Sequence, residues 1–236
     1  VSLCAAEALR INGITATAAA GHSLGEYAAM VYTGMVSRTD GFKLIKARSL
    51  AMQKAAENSS GAMFAIIGST PADIEKVCAE TEGYVVPVNY NSSVQTVIAG
   101  EEAAAQAAAD TLAAAGARAI RLNVAAAFHS KLMQGAADEF KPAAEQISFK
   151  TPEITMLSNI SGTVLDSIDN MPERLALHIV SPVKFTSELA YLSENGYDTF
   201  VECGPGKVLT GLVKKTLKGV NAMNVQDADT LAKVIG

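Results

Sequence analysis

The sequence is poor in what several protein classes require. No uninterrupted apolar run approaches the roughly 18 residues that span a bilayer, and no basic segment leads into an apolar stretch and cleavage site at the N-terminus. A cytoplasmic protein with no membrane partner is expected. Charged residues make up only 18%, with 19 Lys plus Arg against 24 Asp plus Glu and a formal net charge of −5. The basic excess that neutralises a phosphate backbone is missing, so nucleic acid is not an expected partner. Cys4, Cys78 and Cys203 form an odd set with no CxxC spacing. They indicate neither a disulfide framework nor a zinc knuckle and read as reduced packing residues. An oligomeric signal is also absent, and a monomer is expected. Finally, there is no initiating Met: Val1 runs straight into residues 2–11, whose apolar positions recur at helical spacing. A helix opening an α/β domain normally follows a strand, so the N-terminal segment is expected to lie upstream of Val1.

What is present is a large apolar fraction. Hydrophobic residues are 49% of 236, enough for one large α/β domain or two small ones and incompatible with intrinsic disorder. After the first helix, Asn12-Gly13 marks a turn, and residues 14–20 form a short apolar run suited to a buried parallel strand that ends at Gly21. An Ala/Met/Val-rich stretch then runs to Tyr32, and residues 38–54 have an amphipathic helical pattern. The character changes near Ser59-Ser60-Gly61. Strand patterns at 62–67, 85–89, 95–99 and 118–124 alternate with helical patterns at 71–81 and 101–115. This β-α-β-β-α-β order matches the ferredoxin-like module and reads as an inserted subdomain over 59–124. It divides a large domain into residues 1–58 and 125–236. In the second part, helical patterns at 128–140, 172–179, 185–195 and 207–217 surround strand patterns at 154–158 and 199–203. The expected fold class is α/β, with an open, mostly parallel sheet carrying helices on both faces, α/β-hydrolase-like, plus the inserted subdomain.

The chemistry concentrates where the first strand hands over to a helix. Gly21-x-Ser23-x-Gly25 in that context is a candidate nucleophile elbow. The sharp turn would strain Ser23 and project its hydroxyl, and side chains at either flanking glycine would clash with the neighbouring strand and helix. The Leu24 N–H, at the start of the following helix, is the first candidate for an oxyanion donor. The plain alternative is a Gly-rich turn in which Ser23 caps a helix. A serine nucleophile needs a base, and there are only three histidines. His22 is expected to point away across the turn, whereas His129, between a strand and a helix of the large domain, is the better candidate, with His178 its competitor. Arg48 lies on the 38–54 helix among Lys43, Lys46 and Lys54, where the ordinary fate of a cation is the solvated surface.

Six separated stretches carry a resemblance. They are Gly21-His22-Ser23-Leu24-Gly25-Glu26-Tyr27, Lys46-Ala47-Arg48-Ser49, Gly61-Ala62-Met63, Val88-Asn89-Tyr90-Asn91-Ser92, Ala127-Phe128-His129-Ser130 and Glu202-Cys203-Gly204-Pro205-Gly206-Lys207. Together, over nearly the whole chain, they resemble the malonyl-CoA:acyl carrier protein transacylases, acyltransferases of fatty acid and polyketide synthesis. The resemblance implies ping-pong transfer: Ser23 attacks the malonyl thioester of malonyl-CoA with His129 as base, and the phosphopantetheine thiol of acyl carrier protein takes the malonyl group. It implies no metal and no bound cofactor. Arg48 takes the position that binds the malonyl carboxylate, for which a bidentate fork suits better than a lysine. Phe128 beside His129 resembles the malonyl-selecting version. The base is expected to be oriented by a backbone carbonyl near His178, where relatives often have glutamine, and Asn159 matches an asparagine close to the site. Phe128, Asn159 and His178 thus join Arg48 as expected substrate-binding residues. Relatives begin with a strand and a Gly-Gln-Gly-like loop that supplies a second oxyanion N–H, and the resemblance implies that this loop belongs to the segment expected upstream of Val1. Basic residues such as Lys207, Lys214 and Lys215 are the expected contacts for an acidic carrier.

Two readings compete with transfer. An α/β-hydrolase-type serine esterase or thioesterase shares the elbow, but its base lies near the chain end after an Asp or Glu, and Arg48 would have no task. A non-catalytic binding remnant is the other.

Overall fold

The computed structural model describes residues 1–57, 61–124 and 126–236. Helix α1 (Ser2–Ile11) ends at Asn12, and Gly13 takes the left-handed conformation at φ 80° that turns the chain. Strand β1 (Ala18–Ala19) leads through the Ser23 turn into α2 (Gly25–Tyr32). Ser37 then starts α3 (Arg38–Glu57), its Oγ accepting the Asp40 N–H at 3.0 Å.

The next elements are β2 (Gly61–Ile67), α4 (Pro71–Glu80), β3 (Val85–Ser92), β4 (Gln95–Glu101), α5 (Glu102–Ala114) and β5 (Arg118–Arg121). Thr70 caps α4 by accepting the Asp73 N–H at 3.2 Å, with Pro71 in the first turn, where its missing N–H costs nothing. The four strands pair antiparallel in the order β3-β4-β2-β5. Phe64, Ile66 and Ile98 pack against Ala105, Ala108 and Leu112 of α5 and Ile74 of α4 on one face. Met63, Ala65, Val97 and Ala99 pack on the other, where Ala127 joins them. Both faces being covered, β2 and β4 read as continuous apolar runs instead of alternating ones. Alanines let α5 approach the sheet closely while keeping high helix propensity.

A 3-10 turn (Lys131–Met133) precedes α6 (Gln134–Ala144), followed by β6 (Thr155–Ser158), β7 (Thr163–Val164), α7 (Met171–Val180), α8 (Phe185–Glu194), β8 (Thr199–Cys203), α9 (Val208–Thr216), β9 (Asn221–Val225) and α10 (Ala228–Ile235). Tyr27, Met30, Leu44, Met133, Phe140 and Ile179 are fully buried members of the cluster that joins α2, α3, α6 and α7. The sheet carrying β3 is tied to this part by backbone bonds: the Val183 N–H donates to Val88 and the Tyr90 N–H to Val183, at 2.8 and 2.9 Å.

The α/β class stands, but the sheet differs from expectation. Among the described residues the other strands form two separate sheets. One is β1-β6-β7, with β1 parallel and β7 antiparallel to β6, and the other is the parallel pair β8-β9. Ala5 and Leu9 of α1 cluster with Val201 and Cys203 of β8 and Val225 of β9. The strand expected over 14–20 shrinks to two residues, because Thr15, Ala16 and Thr17 are exposed and only Ala18 and Ala19 pair with β6. The helix expected from Phe128 starts later, since Ser130 caps the 3-10 turn by accepting the Leu132 N–H. The domain boundaries expected at 58/59 and 124/125 involve residues 58–60 and 125, which lie outside the described residues. Strand β9 and helix α10 lie beyond the patterns read from the sequence.

Candidate active site

Ser23 sits at the turn between β1 and α2 with φ 53°, a left-handed conformation that a non-glycine residue holds only when its surroundings impose it. The turn closes on itself, the Gly25 and Glu26 N–H groups donating to the His22 and Ser23 carbonyls at 3.0 and 3.1 Å. A Cβ at Gly21 would lie 2.1 Å from the Gly25 carbonyl carbon, so only glycine fits there. A Cβ at Gly25 meets nothing within 4 Å, which corrects the expectation that both glycines are sterically required. Leu24 precedes α2 in helical backbone conformation (φ −55°), and its side chain is 48% exposed.

His129 also has a left-handed backbone, φ 61°. Ser130 steadies that turn, donating its hydroxyl to the Ala127 carbonyl at 2.6 Å. The His129 Nε2 lies 2.7 Å from the Ser23 Oγ, and its Nδ1 faces the His178 and Ser181 carbonyls, each at 3.1 Å. Two carbonyls can only accept, so Nδ1 carries the ring proton and Nε2 presents its lone pair to the serine hydroxyl. Burial, and then the nearby Arg48 charge, pushes the imidazole down to about 4. His22 points elsewhere: its Nε2 is 2.7 Å from the Asn91 Oδ1 on β3, and its ring meets Phe185 edge-on at 5.4 Å.

Arg48 is not surface decoration. It is 5% exposed, and its Nη2 donates to the Ser23 Oγ at 3.2 Å. The guanidinium carbon is 5.5 Å from the centre of the Tyr27 ring. Its Nε is buried without a hydrogen-bond partner, an open donor on a charge already desolvated. Arg48, Met52, Ala56 and Phe128 line an open cleft of about 490 Å³.

Asn159 and His178, expected as substrate contacts, are at most 1% exposed and lie beneath the turn. Asn159 receives the Ser23 N–H on its Oδ1 at 2.7 Å, and the His178 Nε2 lies 3.1 Å from that same oxygen. Their side chains hold protein groups, which corrects the assignment. Two carboxyl groups unforeseen from the sequence complete this layer. Glu26 accepts the Asn159 backbone N–H at 3.0 Å, and Glu188 accepts from the Asn159 Nδ2 at 2.9 Å. Burial pushes Glu26 up to about 7 and Glu188 well above the usual carboxylate range. A signal existed: Glu188 shares the buried face of α8 with Phe185, Leu189 and Leu192, a charge in a core register. No group of three or more His, Cys, Asp or Glu among the described residues is arranged to hold a metal ion, and no described helix is long and apolar enough to cross a membrane.

The acyl transferase domain model matches residues 1–235. The malonyl CoA-acyl carrier protein transacylase of Escherichia coli strain K12 is 38% identical over 219 residues, covering 92% of this chain and 71% of the relative. That of Bacillus subtilis strain 168 is 35% identical over 238 residues, covering 99% and 75%. The transacylase structure from Clostridium perfringens superposes with a TM-score of 0.93 at 36% identity, over 97% of this chain and 73% of that one. A malonyl-transacylase in complex with a type II PKS acyl-carrier protein gives 0.93 at 35% identity, over 99% and 77%. A family model that takes in nearly every residue, together with relatives matched along most of their length, places the chain in the acyl transferase domain family, to which it belongs.

Proposed function

We propose that this chain moves a malonyl group from malonyl-CoA to the phosphopantetheine thiol of an acyl carrier protein, the loading step of fatty acid synthesis. The observation that carries the reading is one oxygen between two groups: the Ser23 Oγ has the His129 Nε2 at 2.7 Å and the Arg48 Nη2 at 3.2 Å. Ser23 is the nucleophile and His129 the base. As Oγ bonds to the thioester carbon, its proton passes to Nε2; the C–S bond breaks and the coenzyme A sulfur leaves with that proton. The carrier thiol then repeats the exchange in reverse. The Leu24 N–H serves the tetrahedral oxyanion. Arg48, with its buried and unpartnered Nε, takes the malonyl carboxylate in a bidentate pair. Phe128 forms the apolar side of the cleft.

The finer architectural reading is that β2, β3, β4 and β5 with α4 and α5 form an inserted ferredoxin-like subdomain over 59–124. The strand order β3-β4-β2-β5 supports it. Residues 1–58 and 125–236 form the remaining, larger domain. We further read the chain as a cytoplasmic monomer needing no metal or cofactor. Exposed Lys207, Lys214 and Lys215 are the basic residues that meet an acidic carrier.

Incubation with malonyl-CoA and holo-carrier tests the reading. Expected are malonyl-carrier and a covalent malonyl adduct on Ser23 that is lost in Ser23→Ala. Rapid release of free malonate instead would support the esterase alternative. Arg48→Ala is expected to lower malonyl transfer by about 10- to 100-fold, the worth of a charge-assisted hydrogen bond, while sparing or raising acetyl transfer. Equal loss for both acyl groups would assign Arg48 a purely structural role.

A further inference from the structure

Beneath the reacting hydroxyl lies a layer of polar side chains that the acyl exchange does not use. Asn159 bridges the two ends of the Ser23 turn: its Oδ1 accepts the Ser23 N–H at 2.7 Å, and its Nδ2 donates to the Gly21 carbonyl at 2.6 Å. A primary amide can sit either way round, and only one way pairs both ends.

Two helices select that orientation. Glu188, on α8, places Oε1 at 2.9 Å from Nδ2; as a carboxylate, or as an acid with its proton on Oε2, it presents an acceptor there and so selects the amide nitrogen. His178, on α7, places Nε2 at 3.1 Å from Oδ1. Its Nδ1 is buried with no partner, so the tautomer that leaves no orphaned donor carries its proton on Nε2 and donates to Oδ1. From α2, Glu26 receives the backbone N–H of Asn159 at 3.0 Å and fixes its main chain. Asn159 and Glu188 are fully buried, and His178 and Glu26 are 1% and 4% exposed. Burying carboxyl and imidazole groups is costly, and every hydrogen bond these side chains make in the site goes to Asn159.

We propose that Glu188 and His178 are positioning residues for acyl transfer, locking the Asn159 amide in the orientation that clamps Gly21 to Ser23 and so keeps the Ser23 hydroxyl aimed at His129. The inference rests on Ser23 being the nucleophile. Displacement of a reacting group by about 1 Å can cost roughly 100-fold, so a loosened clamp acts on the rate of the chemical step and leaves substrate binding alone.

The test compares Glu188→Gln, which keeps an acceptor for Nδ2, with Glu188→Leu, which keeps much of the shape and removes it. Single-turnover acylation by malonyl-CoA gives a maximal rate and a half-saturation concentration, and a fluorophosphonate probe reports Ser23 whatever its natural acyl donor. Expected is a 10- to 100-fold lower maximal rate and slower probe labelling for Leu at unchanged half-saturation, with Gln within threefold of the parent. Should Glu188→Leu fail to fold, His178→Gln against His178→Leu makes the same comparison from the other side of the amide. Overturning results are a Leu variant as fast as the parent, a Gln variant as slow as Leu, or a loss confined to half-saturation. A parent chain inert to both reagents would remove the nucleophile and the clamp together. A parent labelled by the probe but not by malonyl-CoA would remove only the donor, and the Gln and Leu rates with the probe would still decide the clamp.

Discussion

The four-stranded sheet and the Ser23 turn fill their interiors in opposite ways. Between the sheet and its helices lie Phe64, Ile66, Ile98, Leu112 and a row of alanines, while charges such as the paired Arg121 and Glu102 stay at the exposed rim. Under the turn the buried residues include Glu26, Arg48, His129, Asn159, His178 and Glu188. Backbone strain divides the same way: the described non-glycine residues with positive φ are Ser23, His129 and Asn170, none of them in the sheet. One region maximises apolar burial. The other accepts desolvated polar groups and strained dihedrals, each costing about 1–3 kcal/mol, to hold a hydroxyl, an imidazole and a guanidinium within reach of one another. The stability of this chain is therefore expected to reside in one region and its reactivity in the other.

That contrast can be broken by substitutions on either side. The largest effect is expected from Ser23→Ala or His129→Ala, which should lower malonyl transfer by roughly 1,000-fold or more, measured by carrier loading, with a melting temperature equal to or above the parent's. A melting temperature lowered as by a core truncation would erase the distinction. Ile98→Ala, at a fully buried position, should cost about 2–5 kcal/mol of stability in urea unfolding and leave the rate per folded molecule unchanged. A changed rate would couple the two regions.

The pH profile gives a smaller signature. Protonated His129 cannot accept the serine proton, and its buried site beside Arg48 pushes its proton affinity down to about 4 from an ordinary 6.5. The rate kcat/KM should thus fall by less than twofold between pH 7 and 5.5, where an ordinary histidine would lose about tenfold. In stability the groups oppose each other. The depressed His129 contributes stability that is present above pH 6.5 and lost as pH falls through about 4. Glu26, raised to about 7 from 4.5, contributes stability that is present below 4.5 and lost as pH rises through about 7. The smallest expected effect is that of Gly25→Ala. Its Cβ meets nothing within 4 Å and it opens a helix, so thermal unfolding should show a gain of up to about 1 kcal/mol. Gly21→Ala should instead disrupt the turn.

Much of this was legible in the residues. The alternating strand and helix patterns of 61–121 are local, and they placed β2, α4, β3, β4, α5 and β5 within a few residues of their observed limits. Ser23 was legible because two glycines at a strand-to-helix junction are a local signal. The short β1 was harder: its apolar run 14–20 looks like a buried strand, yet Thr15, Ala16 and Thr17 are exposed and just Ala18 and Ala19 pair. Glu26 and Glu188 were missed because a carboxyl group in a core register looks like any other helix charge until the partner that satisfies it is known.

By itself the sequence determined whatever depends on near neighbours: most of the helices, the Gly-Ser-Gly turn, the alanine-rich helix that can lie close on a sheet, and the resemblance carried by six short stretches. Only the tertiary structure decided which distant groups meet. It set the His129 imidazole, 106 positions along, 2.7 Å from Ser23, turned the Arg48 side chain inward, and withdrew Asn159 and His178 from the cleft to a place beneath the turn. The reason is physical. Hydrogen bonds and desolvation act over a few ångströms in space, and the spatial neighbours of Ser23 come from α3, the loop before α6, and β6 and α7 with the segments that follow them, which chain order leaves far apart.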